Sequence, residues 1–211
     1  MYQIMESVTL YFGANMCPCL KVQAESFLTL PDGKPLSVIG RKRGFPQMEQ
    51  VRGVELMQRL FSDIKYRRFR HYFYGNTSEN LQALINALKT DYPGMNIVGY
   101  EPSVFRELKD SEYADLAERV RAAGADFLWI GLGAPRQEYF CARIQGITGA
   151  VPIGVGGAFN VLAHIVPDAP AWMRRLSLEW FYRFLKEPGR LFKRYFVTNT
   201  KFLWDLVVDK L

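Results

Sequence analysis

The sequence predicts an α/β fold: a Rossmann-like parallel sheet covered by helices, followed by a basic helical appendage at the C terminus. Strand-like and helix-like segments alternate from His71 to Gly157, which is the order that βαβ units require. Residues 127–130 are apolar on both faces, as in a strand covered on both sides. After Pro170 the composition becomes basic and aromatic. We therefore expect two units, residues 1–170 and residues 171–211.

The first seventy residues contain few clear elements. Residues 30–33, Leu-Pro-Asp-Gly, predict a turn, because proline presets the backbone and glycine accepts the reversal. Residues 53–61 predict a helix, because apolar residues recur there at helical spacing. These apolar residues are Val54, Leu56, Met57 and Leu60.

The central part of the chain predicts a regular alternation of elements. The predicted strands are His71–Tyr74, Asn96–Val98, Asp126–Gly131 and Ala150–Val155. Three helices are predicted in this part. One has Ser78 as its cap, one spans Ser111–Ala123, and one begins near Pro135. His164 has apolar neighbours in the sequence, which predicts a packed core histidine rather than a catalytic one.

The C-terminal segment predicts two or three basic, aromatic-rich helices with a break at Pro188-Gly189. Residues 171–211 contain nine Lys or Arg against four Asp or Glu, and ten aromatic residues. Aromatic rings favour the membrane interface, and cationic side chains favour anionic headgroups, so this segment predicts contact with a membrane surface. The alternative is that the basic face of these helices is only solvated and contacts no membrane. Exposed aromatic residues also predict association with a second copy of the chain.

The composition restricts the class of protein. Of the 211 residues, 49% are hydrophobic and 23% charged, which is typical of a globular protein and excludes wholesale disorder. A formal net charge of +6 indicates an anionic partner, such as a phosphorylated substrate, an anionic membrane surface or a nucleic acid. No nucleic-acid-binding motif is present, so we expect no nucleic-acid partner.

Location and cofactors follow from what the sequence lacks. It contains no apolar run long enough for a transmembrane helix and no basic start typical of a signal peptide. Three cysteines do not form a disulfide framework. We therefore expect a cytoplasmic protein, peripheral on the cytoplasmic face of the inner membrane. A metal at Cys17 and Cys19 would need two further ligands, with only His71 and His164 as histidines, so we expect neither metal nor cofactor.

Two glycine-rich turns follow neighbouring predicted strands. Residues 130–138 combine a strand end, a Gly-x-Gly turn and a helix start, which places free backbone N–H groups where a phosphate or diphosphate binds. Residues 153–159 repeat the pattern. Glycine turns also occur where only tight packing is required, so both explanations stay open. The candidate ligand-binding residues are Gly131, Gly133, Gln137, Glu138, Gly156 and Gly157.

Asp32 and Arg52 are candidates outside these turns. Asp32 lies between Pro31 and Gly33, so its carboxylate either bonds to its own turn or acts as a general base on an attacking hydroxyl. Arg52 precedes the predicted helix and pairs with a phosphate, with Asp32 or with solvent. The sequence has no Asp-x-Asp pair to chelate a metal.

Taken in order, these segments resemble the WecG/TagA/CpsF family of bacterial glycosyltransferases over residues 28–204. The matching pieces are Pro31-Asp32-Gly33, Arg52–Met57, Tyr74-Gly75, Tyr92-Pro93-Gly94, Gly131–Glu138, Gly154–Phe159, Ala169–Met173, Leu178–Trp180, Tyr182-Arg183, Glu187-Pro188 and Arg190. The combination is far more specific than any single turn.

The resemblance implies an inverting enzyme that moves N-acetylmannosamine, or its uronic acid, from a UDP-sugar to an undecaprenyl-diphosphate-linked acceptor in cell-surface polysaccharide synthesis. It implies that Asp32 is the catalytic base, that Arg52 and Gln137 line the pocket, and that appendage arginines contact the diphosphate. The matching arginines are Arg183, Arg190 and Arg194.

The resemblance departs at the amino end. Family members carry a further strand–helix unit and a Thr-x-Asn-type segment before the Asp turn, whereas only 31 residues precede Asp32 here. We therefore expect a shortened or rearranged amino end, with Asn15 as the partial match. Two other functions stay open: a nucleotide-binding oxidoreductase that uses the same crevice, and a non-catalytic adaptor at the membrane surface.

Overall fold

A computed structural model describes residues 4–6, 22, 25–175, 178–186 and 189 of the chain. Its strands form one six-stranded sheet, and every pair of neighbours in it is parallel. The strands are β1 Ile4–Glu6, β2 Leu28–Leu30, β3 Arg70–Gly75, β4 Asn96–Glu101, β5 Phe127–Gly131 and β6 Val151–Gly154. Their order across the sheet is β2-β1-β6-β5-β3-β4. The predicted parallel α/β fold is confirmed.

Helices connect the strands and cover the sheet. They are α1 Lys34–Lys42, α2 Gly53–Ser62, α3 Ser78–Asp91, α4 Asp110–Ala122, α5 Arg136–Ile144, α6 Ala158–Leu162, α7 Ala171–Arg175 and α8 Glu179–Lys186. A short 3₁₀ helix spans Ile64–Tyr66. The predicted cap at Ser78 was wrong by one residue: Thr77 is the N-cap, and its side chain accepts a hydrogen bond from the backbone N–H of Asn80.

Alternating side chains of the central strands form two separate cores. On one face of the sheet, Phe73 and Trp129 pack with α2, α3 and α6. On the other face, Tyr72 and Leu128 pack with α4 and α5. Because successive strand residues point to opposite faces, a strand covered on both sides has to be apolar at every position. Trp129 and Leu128 are both fully buried, which explains the uninterrupted apolar run of β5.

The helices that follow neighbouring strands lie on opposite faces. Helix α5, after β5, packs in one core, whereas α3 and α6, after β3 and β6, pack in the other. The chain therefore diverges at the carboxyl ends of β3, β5 and β6. A crevice forms at such points in doubly wound sheets, and ligands bind there.

His164 contradicts the prediction of a packed core histidine. Its side chain is 69% exposed, and Nε2 lies 2.9 Å from Asp91 Oδ2. The backbone of His164 has a φ of 57°, so the chain reverses there after α6 and the side chain is directed to solvent. Of the apolar neighbours that suggested burial, Leu162 and Ala163 are buried, whereas Ile165, after the reversal, is exposed like His164 itself.

The C-terminal region begins with two short helices. Met173 on α7 is buried, whereas the neighbouring Trp172 is exposed. Helix α8 exposes Phe181 and Leu185. The helical prediction holds for residues 171–175 and 179–186, and the rest of the appendage lies outside the described residues. None of the described helices is long and apolar enough to cross a membrane.

Candidate active site

The Asp32 turn and the two glycine-rich turns lie along one edge of the sheet. All six strands run the same way, so the turns after β2, β6, β5 and β3 meet at the carboxyl edge. Neighbouring strands lie about 4.8 Å apart, so the Asp32 turn after β2 is separated from the turn after β6 by roughly 10 Å. A nucleotide-sugar can bridge such a gap.

Gln137 joins the two glycine-rich turns. Its side chain is buried, and a methyl group built on Gly154 would lie 3.2 Å from Gln137 Cγ. A methyl group on Gly156 would lie 3.1 Å from Gln137 Oε1 and 3.7 Å from the Cα of Gly133. Gly156 also has a φ of 51°, which a side chain would strain. A side chain at either glycine would therefore require Gln137 to shift by a few tenths of an ångström, and at Gly156 it would also strain the backbone.

The oxygen of this amide has no hydrogen-bond partner within the described part of the chain. Gln137 is 3% exposed, and Oε1 is buried. A buried acceptor without a donor costs about 1–3 kcal/mol, so native proteins rarely leave one without a reason. A ligand hydroxyl or N–H placed between the two turns would supply that donor.

Gly75 and Gly131 bring the ends of β3 and β5 into close contact. A methyl group on Gly75, which has a φ of 130°, would lie 2.8 Å from the backbone of Gly131. A methyl group on Gly131 would lie 2.4 Å from the ring of Phe159. Gly131 is therefore needed for packing, whatever else it contacts. Nothing lies within 4 Å of the corresponding positions on Gly133 and Gly157, so both face open space.

Glu138 is completely buried at the start of α5. It lies beside Cys141, whose pKa is raised, mainly by burial and secondly by the charge of Glu138. This position is on the side of α5 that packs in the core with Cys141 and Ile144. Binding of a substrate by Glu138 stays a prediction.

The Asp32 turn is held by the loop before α2. The backbone N–H of Val51 donates to the carbonyl of Pro31 at 3.0 Å, and Gln50 Nε2 donates to the carbonyl of Asp32 at 2.5 Å. Gly33 then begins α1 as its N-cap. Asp32 is half-buried in this position. The turn thus has the fixed position that a general base requires.

Arg52 is buried and paired with a residue that the sequence did not single out. Nη2 donates to Asp168 Oδ1 at 2.5 Å, and Nη1 donates to Asp168 Oδ2 at 3.2 Å. Nη1 also contacts Glu55 Oε1 at 3.2 Å. This pairing explains how a cation that is 3% exposed is tolerated. Contact between Arg52 and a phosphate, or with Asp32, stays a prediction.

Several predicted site residues lie outside what the structure describes. These are Asn15, Arg190, Arg194 and the side chain of Arg183, whose backbone belongs to α8. The proposed contacts of the three arginines with a diphosphate stay predictions.

The structure adds an amide pair that sequence reasoning missed. Asn76 follows β3 with a φ of 62°, and its Nδ2 donates to Asn160 Oδ1 on α6 at 2.5 Å. Asn76 Oδ1 in turn accepts from the backbone N–H of Thr77 at 2.9 Å. The pair ties the turn after β3 to the helix after β6, at the edge where the chain diverges. The available signal was the Tyr74-Gly75 strand end, which is followed at once by a residue that tolerates a left-handed backbone.

A cavity of about 410 Å³ lies elsewhere. It opens between α2, α3 and the loop after α6, and its lining includes Gln58, Tyr92, His164 and Asp168. None of the glycine turns contributes to it. We base the candidate site on the turns, because they combine the buried amide of Gln137 with open backbone at Gly133 and Gly157.

Comparison with known proteins gives the site its context. The sequence profile described as "Glycosyl transferase WecG/TagA/CpsF family" matches residues 18–211. The chain is 30% identical over 162 residues to a protein of Bacillus spizizenii named N-acetylglucosaminyldiphosphoundecaprenol N-acetyl-beta-D-mannosaminyltransferase. That match covers 76% of this chain and 61% of the relative.

A second relative is similar to the same degree. A Bacillus subtilis protein of the same name is 29% identical over 170 residues, which cover 80% of this chain and 64% of that protein. The chain thus spans less than two thirds of the length of these relatives. The family match includes both glycine turns, the Asp32 turn and the C-terminal segment. The chain therefore belongs to the WecG/TagA/CpsF family of glycosyl transferases.

Proposed function

We propose that this protein is an inverting glycosyltransferase that moves N-acetylmannosamine, or a related sugar, from UDP to an N-acetylglucosaminyl-diphosphate-polyprenol acceptor. The observation that carries the proposal is the buried acceptor of Gln137, located where two glycine turns meet at the carboxyl edge of a parallel sheet. The curated relatives are named for this transfer, and they support the choice of donor sugar and acceptor.

In the proposed reaction, an acceptor hydroxyl attacks the anomeric carbon of the donor sugar. Asp32 takes the proton of that hydroxyl as the new C–O bond forms. The bond between the anomeric carbon and the diphosphate breaks, and UDP leaves with the bonding electron pair. Attack from the side opposite to the leaving group inverts the anomeric configuration.

Charge that develops on the leaving diphosphate needs stabilisation. Backbone N–H groups at the turns after β5 and β6 are suited to this, because Gly133 and Gly157 leave the backbone accessible. The sequence lacks an Asp-x-Asp pair, and we propose that appendage arginines supply positive charge. Turnover that is unchanged by a chelator is expected on this mechanism.

A turnover assay with UDP-N-acetylmannosamine and a polyprenyl-diphosphate-linked N-acetylglucosamine acceptor tests the proposal. We expect Asp32→Asn to lower kcat by about 100-fold or more, because general-base catalysis contributes about 10²–10⁴-fold. The thermal stabilisation by UDP should be retained. An Asp32→Asn variant with full activity would show that Asp32 is not the base. Stabilisation of the wild-type chain by NAD and not by UDP would contradict the proposed function itself.

A further inference from the structure

The carboxylate of Asp168 joins three parts of the molecule. It lies in the loop after α6, and it holds Arg52 at the start of α2 and Arg174 on α7. Oδ1 accepts from Arg52 Nη2 at 2.5 Å and from the backbone N–H of Ala169 at 2.9 Å. Oδ2 accepts from Arg52 Nη1 at 3.2 Å and from Arg174 Nη1 at 3.1 Å. Each oxygen thus receives two hydrogen bonds, which uses the full acceptor capacity of a carboxylate.

The charges in this cluster balance. Arg52 and Arg174 face Asp168 and Glu55, and Glu55 Oε1 lies 3.2 Å from Arg52 and 3.6 Å from Arg174. Burial disfavours the charge on Asp168, but the hydrogen bonds and positive charge of Arg52 outweigh it and hold the pKa of Asp168 below its ordinary value. The side chain of Arg52 is 4% exposed. Neutralising Asp168 would leave this buried cation with a weakened set of partners.

The residues that precede Arg52 hold the Asp32 turn by hydrogen bonds. The preceding residue, Val51, donates its backbone N–H to Pro31, and Gln50 donates to the carbonyl of Asp32. On its other side, Arg52 is the N-cap of α2, and its carbonyl accepts from Leu56 at 2.9 Å. The Arg52 side chain is therefore attached to the backbone segment that holds the turn of the candidate base.

Arg174 connects Asp168 with the C-terminal helices. It lies on α7, beside the buried Met173, whose carbonyl accepts at 2.8 Å from Leu178 at the start of the next helix. The same carboxylate that holds Arg52 thus holds the first helix of the appendage. A chain of direct contacts runs from the Asp32 turn through Arg52 and Asp168 to α7.

We propose that Asp168 is a positioning residue, which couples the docking of the C-terminal helices to the placement of the Asp32 turn. When α7 is docked, Asp168 holds Arg52, and the loop before α2 supports Asp32. When Asp168 is neutralised, α7 and that loop loosen together. The consequence for catalysis rests on the proposed function, whereas the structural coupling does not.

Hydrogen–deuterium exchange measures the coupling without any substrate. In Asp168→Asn we expect exchange to accelerate by about tenfold in two segments together, residues 48–56 and residues 169–178. Arg174→Gln should accelerate the second segment by a similar factor and the first by less, because it removes one of the contacts that hold Asp168 but leaves the Arg52–Asp168 pair in place. Glu55→Gln is the matched control, because it also removes one carboxylate charge beside both arginines. Glu55 contacts them through one oxygen only, at 3.2 Å and 3.6 Å, so we expect less than a twofold change in the exchange rate of either segment.

Kinetics then test the positioning role. We expect Asp168→Asn to lower kcat by about tenfold, because the candidate base is displaced, with the KM for the UDP-sugar within twofold of wild type. Asp168→Glu, which keeps the charge, should restore most of kcat and also serves if Asp168→Asn does not fold. An equal loss in Asp168→Glu and Asp168→Asn would overturn the positioning role.

The exchange and turnover measurements separate this inference from the proposed function. Unchanged exchange at residues 48–56 in Asp168→Asn overturns the coupling, even if the wild-type chain is an active transferase. An inactive wild-type chain whose two segments still loosen together contradicts the proposed function and leaves the coupling intact.

Discussion

Gln137 shows how a single buried amide relates packing to binding. It fills the space beside Gly154 and Gly156, yet its Oε1 meets no donor within the described residues. Packing therefore accounts for the size and shape of this side chain but not for its polarity. A polar atom kept in a buried position at a stability cost is typical of a residue that binds a ligand.

Replacing Gln137 with methionine separates these two roles. Methionine has a similar length and no buried acceptor, so we expect the free energy of unfolding to stay equal or to rise by about 1 kcal/mol. The affinity for UDP or the UDP-sugar, and kcat/KM, should each fall by about tenfold. Urea unfolding and ligand titration of the same preparations check both parts. A variant with lower stability and normal ligand binding would assign Gln137 to packing alone.

His71 is a second buried polar residue, and it lies near the amino end of β3, away from the glycine-rich turns. Nδ1 accepts from Trp129 Nε1 at 3.0 Å, and the ring stacks on Phe127. Burial lowers the pKa of His71 from 6.5 to about 4, against the opposing charge of Asp126. The folded state therefore keeps this imidazole neutral, in agreement with its role as an acceptor.

This lowered pKa predicts a pH dependence of stability. Between pH 6.5 and about 4, His71 is protonated in the unfolded chain but neutral in the folded chain. The contribution of His71 to the free energy of unfolding is therefore fully present above pH 6.5. It is lost as the pH falls to about 4, by roughly 3 kcal/mol in total. His71→Gln keeps an acceptor for Trp129 but does not titrate. Urea unfolding at pH 7.5, 6 and 5 should show a smaller loss in the variant, and equal slopes would contradict this assignment.

At the scale of elements, the glycines of the two turns fall into different classes. Gly131 is needed because the ring of the buried Phe159 occupies the place of a side chain. Gly157, at the start of α6, has open space there. The same residue type thus serves packing after one strand and leaves the backbone accessible after its neighbour.

Alanine substitutions at these two glycines should affect different properties, stability at Gly131 and substrate binding at Gly157. Gly131→Ala forces a methyl group against Phe159, so we expect the free energy of unfolding to fall by about 1–3 kcal/mol. Gly157→Ala should change it by less than about 0.5 kcal/mol. If the turn binds the diphosphate through its backbone, Gly157→Ala should raise the KM for the UDP-sugar. Thermal unfolding and initial-rate kinetics measure these effects, and a strongly destabilised Gly157→Ala would contradict the open site.

For the whole molecule, the notable feature is a basic and aromatic C-terminal segment attached to a two-sided α/β core. The described part of it exposes Trp172, Phe181 and Leu185. Exposed aromatic and aliphatic side chains among arginines and lysines suit the interface of an anionic bilayer. We propose that this segment brings the site to a lipid-linked acceptor.

Vesicle binding by the full chain tests that proposal. We expect binding to anionic phospholipid vesicles and about tenfold weaker binding to zwitterionic vesicles, since each basic side chain near an anionic surface contributes about 1 kcal/mol. Raising the salt concentration to about 0.5 M should weaken the anionic binding, because the charges are then screened. Sedimentation with vesicles measures the bound fraction. Equal binding to both lipids, or none, would contradict the electrostatic contribution.

The sequence by itself determined the alternation of strands and helices and the place of the two glycine turns. These features depend on local chemistry: apolar runs such as residues 127–130, glycines after strands, and helical spacing from Val54 to Leu60. The predicted strands lie within one residue of β3, β5 and β6, whereas β4 extends three residues beyond the predicted Asn96–Val98, and β1 and β2 were not predicted. The family resemblance was likewise carried by short local motifs, and it is confirmed.

Only the tertiary structure decided which distant residues meet. The pairing of Arg52 with Asp168 joins positions 116 residues apart, and the contact of Asn76 with Asn160 joins positions 84 apart. The exposure of His164 depended on a left-handed backbone after α6, and the need for glycine at position 131 depended on the ring of Phe159. Local patterns encode the direction and burial of each element, but such partners are selected when the whole sheet assembles and its carboxyl edge brings the turns together.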